Sequence, residues 1–154
     1  MGARAVGGLL VFLLLVAGAA LFGVRFQPGS WYAGLAKPAW TPPNALFGPV
    51  WSVLYLCIAV AGWLVWRRGG EGVPPLAFWA GQLVLNALWS WLFFGLHRPL
   101  WALWDIGLLW AAALAFAVSA WGVSRLAAVL FIPYLVWVAY AAALNAALWR
   151  LNQG

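Results

Sequence analysis

Acidic residues are almost missing from this chain: Asp and Glu together number two among 154 residues, against eight Lys and Arg. Paired-carboxylate acid–base chemistry has no material to work with. Cysteine is nearly absent too. The single Cys57 lies inside an apolar run, which excludes an internal disulfide and a thiolate metal cluster. The one histidine, His97, falls in a short turn between two apolar runs. An exposed loop residue is expected there, and a haem bundle would not put an axial ligand at such a place. The chain has no Walker loop, no HExxH and no CxxC motif. Conventional nucleophilic or metal catalysis therefore has no visible machinery, and no metal site is expected. Neither a ring of charges nor a carbonyl-filter motif is present, which argues against a channel.

The scarcity of charge is equally informative. Charged residues make up 6% of the chain and apolar ones 68%, whereas soluble domains carry roughly a quarter charged residues. The composition reads as a multi-pass integral membrane protein. Five apolar runs, Val6–Val24, Ala45–Trp66, Leu76–Leu96, Leu100–Trp121 and Leu126–Trp149, lie between the charges. Each is near the roughly 20 residues a helix needs to cross a hydrocarbon core. The expected fold class is all-α: a five-transmembrane-helix bundle forming one domain over residues 1–154. The connections are short apart from the 19 residues 25–43.

All eight bases fall at or beyond the span ends, where the cost of burying charge in lipid puts them. Arg4, Arg67, Arg68 and Arg125 share one membrane face, and Arg25, Lys37, Arg98 and Arg150 the other, so the positive-inside rule gives no orientation. The net charge of +6 is scattered over both faces instead of forming one basic stripe. Membrane lipid headgroups are the expected counterions, and nucleic acid is not an expected partner. Arg4, the leucine run and Ala17-Gly18-Ala19 resemble a cleavable signal segment, but hydrophobicity continues to Val24, so the run is read as a retained first helix.

Proline and glycine punctuate the chain at Pro42-Pro43, Gly69-Gly70, Pro74-Pro75 and Pro99, which separates five helices. The 14 tryptophans exceed what two interfacial belts require. Trp63, Trp66, Trp79, Trp121 and Trp149 lie near span ends and suit a belt. Trp51, Trp89, Trp91, Trp110 and Trp137 lie deeper, where an indole needs an N–H partner or a ligand to pack against.

Polar residues inside the spans form stripes. Gln82, Asn86 and Ser90 recur every four residues on one face of the third span. Tyr134, Trp137, Ala141 and Asn145 line up along the fifth, and Trp51 and Tyr55 lie one turn apart in the second. Two readings stand: interhelical hydrogen bonding within a packed core, or an aromatic-walled pocket for a hydrophobic small molecule. Asp105, one turn after Trp101 in the fourth span, is a functional candidate by its place in a membrane helix. The alternative for it is a structural ion pair with Arg98 or a connection base, or a hydrogen bond.

The ordered set Trp31-Tyr32-x-x-Leu35-x-Lys37-Pro38-x-Trp40-x-Pro42-Pro43, Trp51-x-x-x-Tyr55, Gln82-x-x-x-Asn86-x-x-Trp89-Ser90 with Phe93-Phe94, Trp101-Ala102-Leu103-x-Asp105 and Pro133-Tyr134-Leu135-x-Trp137 with Leu144-Asn145 resembles the translocator protein family. That family is also called TspO/MBR, tryptophan-rich sensory proteins, or peripheral-type benzodiazepine receptors. The resemblance implies a five-helix bundle, often a homodimer, that binds porphyrins such as protoporphyrin IX with no obligatory cofactor. It implies that segment 25–43 is a semi-rigid aromatic lid over a cavity lined by Trp31, Tyr32, Trp40, Trp51, Asn86, Trp101, Trp137 and Ala141. Tyr55, Ser90, Asp105, Tyr134 and Asn145 complete the candidate ligand-binding set, and Lys37 is a candidate partner for a propionate.

By the same resemblance the protein acts as a tetrapyrrole sensor or carrier, or degrades porphyrin in light with Trp51 and Trp137 as the participating indoles. A small membrane scaffold with an incidental cavity is a further alternative, with Ala77-x-x-x-Gly81 as its association face. Composition and brevity suit a bacterial member. The sterol pattern of mammalian members is incomplete: after Val138 and Tyr140 the next base is Arg150, beyond its window.

Overall fold

The computed structural model describes residues 2–153, apart from the side chain of Glu71. The regular structure of the described residues is all helical, with no strand among them. Its elements are α1 (Ala3–Val24), α2 (Ser30–Gly34), α3 (Phe47–Trp66), α4 (Val73–Ser90), α5 (Pro99–Trp121), α6 (Arg125–Leu130) and α7 (Ile132–Leu151), with short 3₁₀ turns before α3 and α4. Five stretches are long and apolar enough to cross a membrane, the last being α6 and α7 in succession. α1 packs on α3 and α4, α4 on α5, and α5 on α6 and α7, while α6 closes the ring against α3.

Proline sets several of the boundaries. Pro74 and Pro75 sit in the first turn of α4 and Pro99 opens α5, positions where the missing N–H has no helical partner to lose. The third span therefore starts at Val73, three residues ahead of the expected Leu76, with both prolines inside it. The fifth span is not the single helix 126–149 expected. Pro133 cannot donate to the preceding turn, so the chain breaks at Phe131 and restarts as α7. Ser124 caps α6 by accepting from the Ala127 N–H.

The third span ends in a π turn over Trp91–Gly95, closed by a hydrogen bond of 2.8 Å from Leu96 N–H to the Trp91 carbonyl. His97 then takes a left-handed φ of 55°, and Arg98 N–H reaches the Leu92 carbonyl at 2.9 Å. His97 is exposed, as expected of a loop residue.

One end of the bundle is filled solid. A Cβ on Gly8 would overlap the Trp66 ring, and one on Gly62 would meet Trp79 at 2.6 Å and Phe12 at 2.8 Å. Glycine is required at both places because a ring lies against the backbone. Trp63 and Trp79 are buried here and not in an interfacial belt: they are only 8% and 4% exposed. Their indole N–H groups donate to the carbonyls of Ala5 and Ile58 at 2.9 and 2.8 Å, which satisfies a polar group that would be costly unpaired in lipid. Arg4, Arg67 and Arg125 close this end with their guanidinium groups over Trp66, Trp63 and Trp121 at 5.8, 4.8 and 5.8 Å.

Candidate functional site

At the opposite end the helices enclose a cavity of about 640 Å³. All five spans contribute: Ala20, Gly23 and Val24 from α1, Trp51, Ser52 and Tyr55 from α3, Asn86, Trp89 and Ser90 from α4, Ile106 and Leu109 from α5, and Trp137, Val138 and Ala141 from α7. Phe26, Gln27, Pro28, Asn44 and Phe47, at the two ends of the α1–α3 connection, complete the wall, with Phe94 from the π turn. The small residues of α1 leave the room, and the aromatics of α3, α4 and α7 flatten the sides.

Of the residues expected to bind ligand, Trp51, Tyr55, Asn86, Ser90, Trp137 and Ala141 come together in this wall. The Trp51 ring lies 5.2 Å from Tyr55 and 6.2 Å from Tyr134. Trp137 packs 6.0 Å from Phe47 and 5.7 Å from Tyr140, and its buried indole N–H has no hydrogen-bond partner.

Tyr134 lies behind the wall, fully buried. It joins a network that starts at the cavity: Tyr55 Oη donates to Asn86 Oδ1 at 2.9 Å, Asn86 Nδ2 to Tyr134 Oη at 3.0 Å, and Tyr134 Oη to Gln82 Oε1 at 2.8 Å. Gln82 Nε2 ends the chain on the Trp79 carbonyl at 3.0 Å. Tyr55 Oη spends its one proton on Asn86, so it offers the cavity an acceptor oxygen. The two sequence readings of these stripes are therefore both realised. Gln82 and Tyr134 act in interhelical bonding, Ser90 and Trp137 face the cavity, and Asn86 does both.

Other expected site residues are not brought to this cavity. Trp101 is 66% exposed on the outer surface of α5, in line with Trp104 and Leu108. Four residues advance a helix 40° beyond a full turn, enough at the edge of a face to separate outward Trp101 from buried Asp105. Asp105 is buried and is not part of the cavity lining, and its Oδ2 has no partner, so the expected ion pair or hydrogen bond is missing at that oxygen. Asn145 lies past the cavity, where Oδ1 accepts from Trp89 Nε1 at 3.1 Å and Nδ2 donates to the Pro99 carbonyl at 2.8 Å.

The aromatic segment expected as a lid is fastened to the bundle. Trp31 stacks on His97 at 4.3 Å and meets Phe93 edge-on at 5.6 Å. Tyr32 is buried against Phe93, Phe94, Leu144 and Leu148, and burial, with the nearby Tyr140 phenol second, pushes its hydroxyl pKa upward. Trp40 is half exposed; its carbonyl accepts from Tyr140 Oη at 2.7 Å. The Asn152 amide clamps the backbone of Ala36, accepting from its N–H at 2.9 Å and donating to its carbonyl at 3.0 Å. Lys37 Nζ donates to the carbonyls of Ala33 and Leu35 at 3.0 and 3.1 Å and sits 4.8 Å over the Tyr32 ring. Its charge is committed to closing α2 and does not face the cavity.

Sequence reasoning missed Ile106 and Leu109, which carry no signal separating them from other apolar residues of α5. It also missed Gln27, inside the lid segment, and Asn44 and Phe47, just after it; Trp89 stands out in the sequence as a deep indole needing a partner or a ligand, and Phe94 only as a motif member. Among the described residues no cluster of His, Cys, Asp and Glu could hold a metal. The arrangement can bind an extended apolar molecule on aromatic surfaces, with a few amide and hydroxyl contacts.

Residues 10–150 match the TspO/MBR family model. The chain is 42% identical to protein CrtK of Rhodobacter capsulatus over 147 residues, covering 94% of this chain and 92% of that protein. It is 45% identical to the translocator protein of Homo sapiens over 139 residues, covering 86% and 82%. It is 38% identical to the tryptophan-rich sensory protein of Cereibacter sphaeroides over 146 residues, covering 93% and 90%.

Proposed function

The chain belongs to the TspO/MBR family of multi-pass membrane proteins, and on that premise we propose that it binds a tetrapyrrole of the protoporphyrin IX class and acts as a sensor or carrier. The cavity carries the reading. Its volume of about 640 Å³ falls within the roughly 300–1,000 Å³ usual for small-molecule sites. Its walls are aromatic faces suited to a flat macrocycle, with few polar groups. A homodimer is part of the proposal, supported by an outward small-residue face at Ala77 and Gly81, where a Cβ on Gly81 would meet nothing within 4 Å.

One observation favours a second reading, light-dependent degradation of the bound porphyrin. Trp51 and Trp137 both line the cavity, so two oxidisable indoles would flank any macrocycle there. The excited tetrapyrrole would supply the chemistry, and the protein the contact geometry and exclusion of water. A dark titration of the detergent-solubilised protein with protoporphyrin IX, followed by illumination of the same sample, separates the readings. Saturable binding with stable porphyrin bands supports the sensor or carrier. Protein-dependent bleaching that disappears in Trp51→Phe and Trp137→Phe supports degradation, and absence of saturable binding overturns both.

A further inference from the structure

Beside the main cavity lies a second, smaller one of about 30 Å³. The two share Phe47, Trp89, Phe94 and Ala141 as wall residues, so they adjoin. Trp89 is held in this double role from two sides: its N–H donates to Asn145 Oδ1 at 3.1 Å, and its ring stacks on Phe93 at 5.1 Å and 18°. The rest of the small wall is built from the connection and from α7, with Tyr32 over Leu144 and Leu148. Asn145 is the only amide there, and both its ends are already engaged, by Trp89 and by the Pro99 carbonyl. A water there would gain little from an apolar wall whose one amide is already engaged, and at about 30 Å³ against about 640 Å³ for the main cavity the space suits a short substituent and not a second ring system.

We propose that this side cavity is a substituent pocket. A ligand whose ring system fills the main cavity inserts one short apolar side group, a methyl, vinyl or ethyl, past Trp89 and under Tyr32. The pocket thereby selects among ring ligands by the size and polarity of that edge group. It also gives the aromatic connection a binding role: Tyr32 supplies the roof of the small pocket and no wall of the large one. The proposal rests on the tetrapyrrole reading above.

The test is a dark equilibrium titration with four porphyrins that carry the same propionates and differ at two ring positions: hydrogen (deuteroporphyrin), vinyl (protoporphyrin), ethyl (mesoporphyrin) or 1-hydroxyethyl (haematoporphyrin). Vinyl and ethyl are expected to bind at least tenfold tighter than hydrogen, about the worth of burying two carbons. The hydroxyethyl compound should bind roughly tenfold weaker than the ethyl one, because its hydroxyl must leave water for a largely apolar wall whose Asn145 amide is already engaged. Leu144→Phe and Tyr32→Trp fill the pocket from opposite walls, and each should cut the vinyl-to-hydrogen ratio about tenfold. Circular dichroism establishes that a variant is folded, and either folded variant decides. An unchanged ratio in a folded variant, or hydroxyethyl binding as tight as ethyl in the wild type, overturns the pocket while leaving tetrapyrrole binding intact. Saturable binding by none of the four overturns the tetrapyrrole reading itself, and the pocket with it.

Discussion

The two ends of this bundle are built from the same residue types to opposite effect. At the end that holds the beginning of α1 and the end of α3, glycines lie under tryptophan rings, and Ala59, Ala61, Ala113, Ala120 and Ala127 are completely buried. Gly8 and Gly62 are each matched by a ring. At the other end, Ala20, Gly23 and Ala141 face the cavity with no ring set into the space they leave. A small residue closes a helix pair only when a neighbour occupies the volume it vacates; otherwise it opens a site. The polar groups divide in the same way. The Trp63 and Trp79 N–H groups of the packed end terminate on backbone carbonyls, whereas at the open end Trp89 donates to the Asn145 side chain and the Trp137 N–H is unpartnered.

The sharpest test of that contrast enlarges one small residue at each end. Gly62→Val places methyl groups into the Trp79 and Phe12 rings and should lower stability by about 1–3 kcal/mol or more, read from thermal unfolding in detergent. Ala141→Leu projects into the cavity and should leave the unfolding transition nearly in place while weakening porphyrin binding. Equal destabilisation by the two would dissolve the distinction between the ends.

A smaller effect is expected at the boundary between the regions. Asn86→Leu removes the acceptor of Tyr55 and the donor to Tyr134, which should cost about 1–3 kcal/mol for the groups left unpaired. Unfolding of Asn86→Leu, Tyr55→Phe and the double variant would show whether the network is one unit, since non-additivity measures the coupling. The smallest effect belongs to the outer surface. Trp101→Phe should change stability by less than about 0.5 kcal/mol and leave porphyrin affinity unaltered. A large loss of affinity there would mean that the helix face turned outward takes part in binding.

Much of the fold was legible because membrane burial imposes length and composition. The span ends at Val24, Trp66 and Trp121 fall where the apolar runs stop. The break at Phe131 was not foreseen, since a proline near a span end is compatible with either a cap or an interruption. The π turn was not foreseen either. It depends on how Trp89, Phe93 and Phe94 pack as a set, with ring separations between 4.9 and 5.7 Å. At the site, the stripes on α4 and α7 were drawn correctly as faces but too long as walls. Gln82 and Tyr134 lie deeper than the cavity and Asn145 beyond it, because periodicity gives direction around a helix and not extent along it.

The order of residues was enough to give a five-span membrane bundle, the polar residues that share a helix face, and the family the chain resembles. Those follow from hydropathy, spacing and ordered motifs. Packing alone settled that Trp63 and Trp79 fill the core while Trp101 faces outward, that Lys37 closes the short helix before it, and that Tyr140 of α7 and Asn152 just after it fasten the connection. The physical reason is that lipid is as apolar as a helix interface. Hydrophobicity therefore tells a membrane helix where to run but not which side to bury, and that choice falls to the fit between rings, glycines and backbone carbonyls on neighbouring helices.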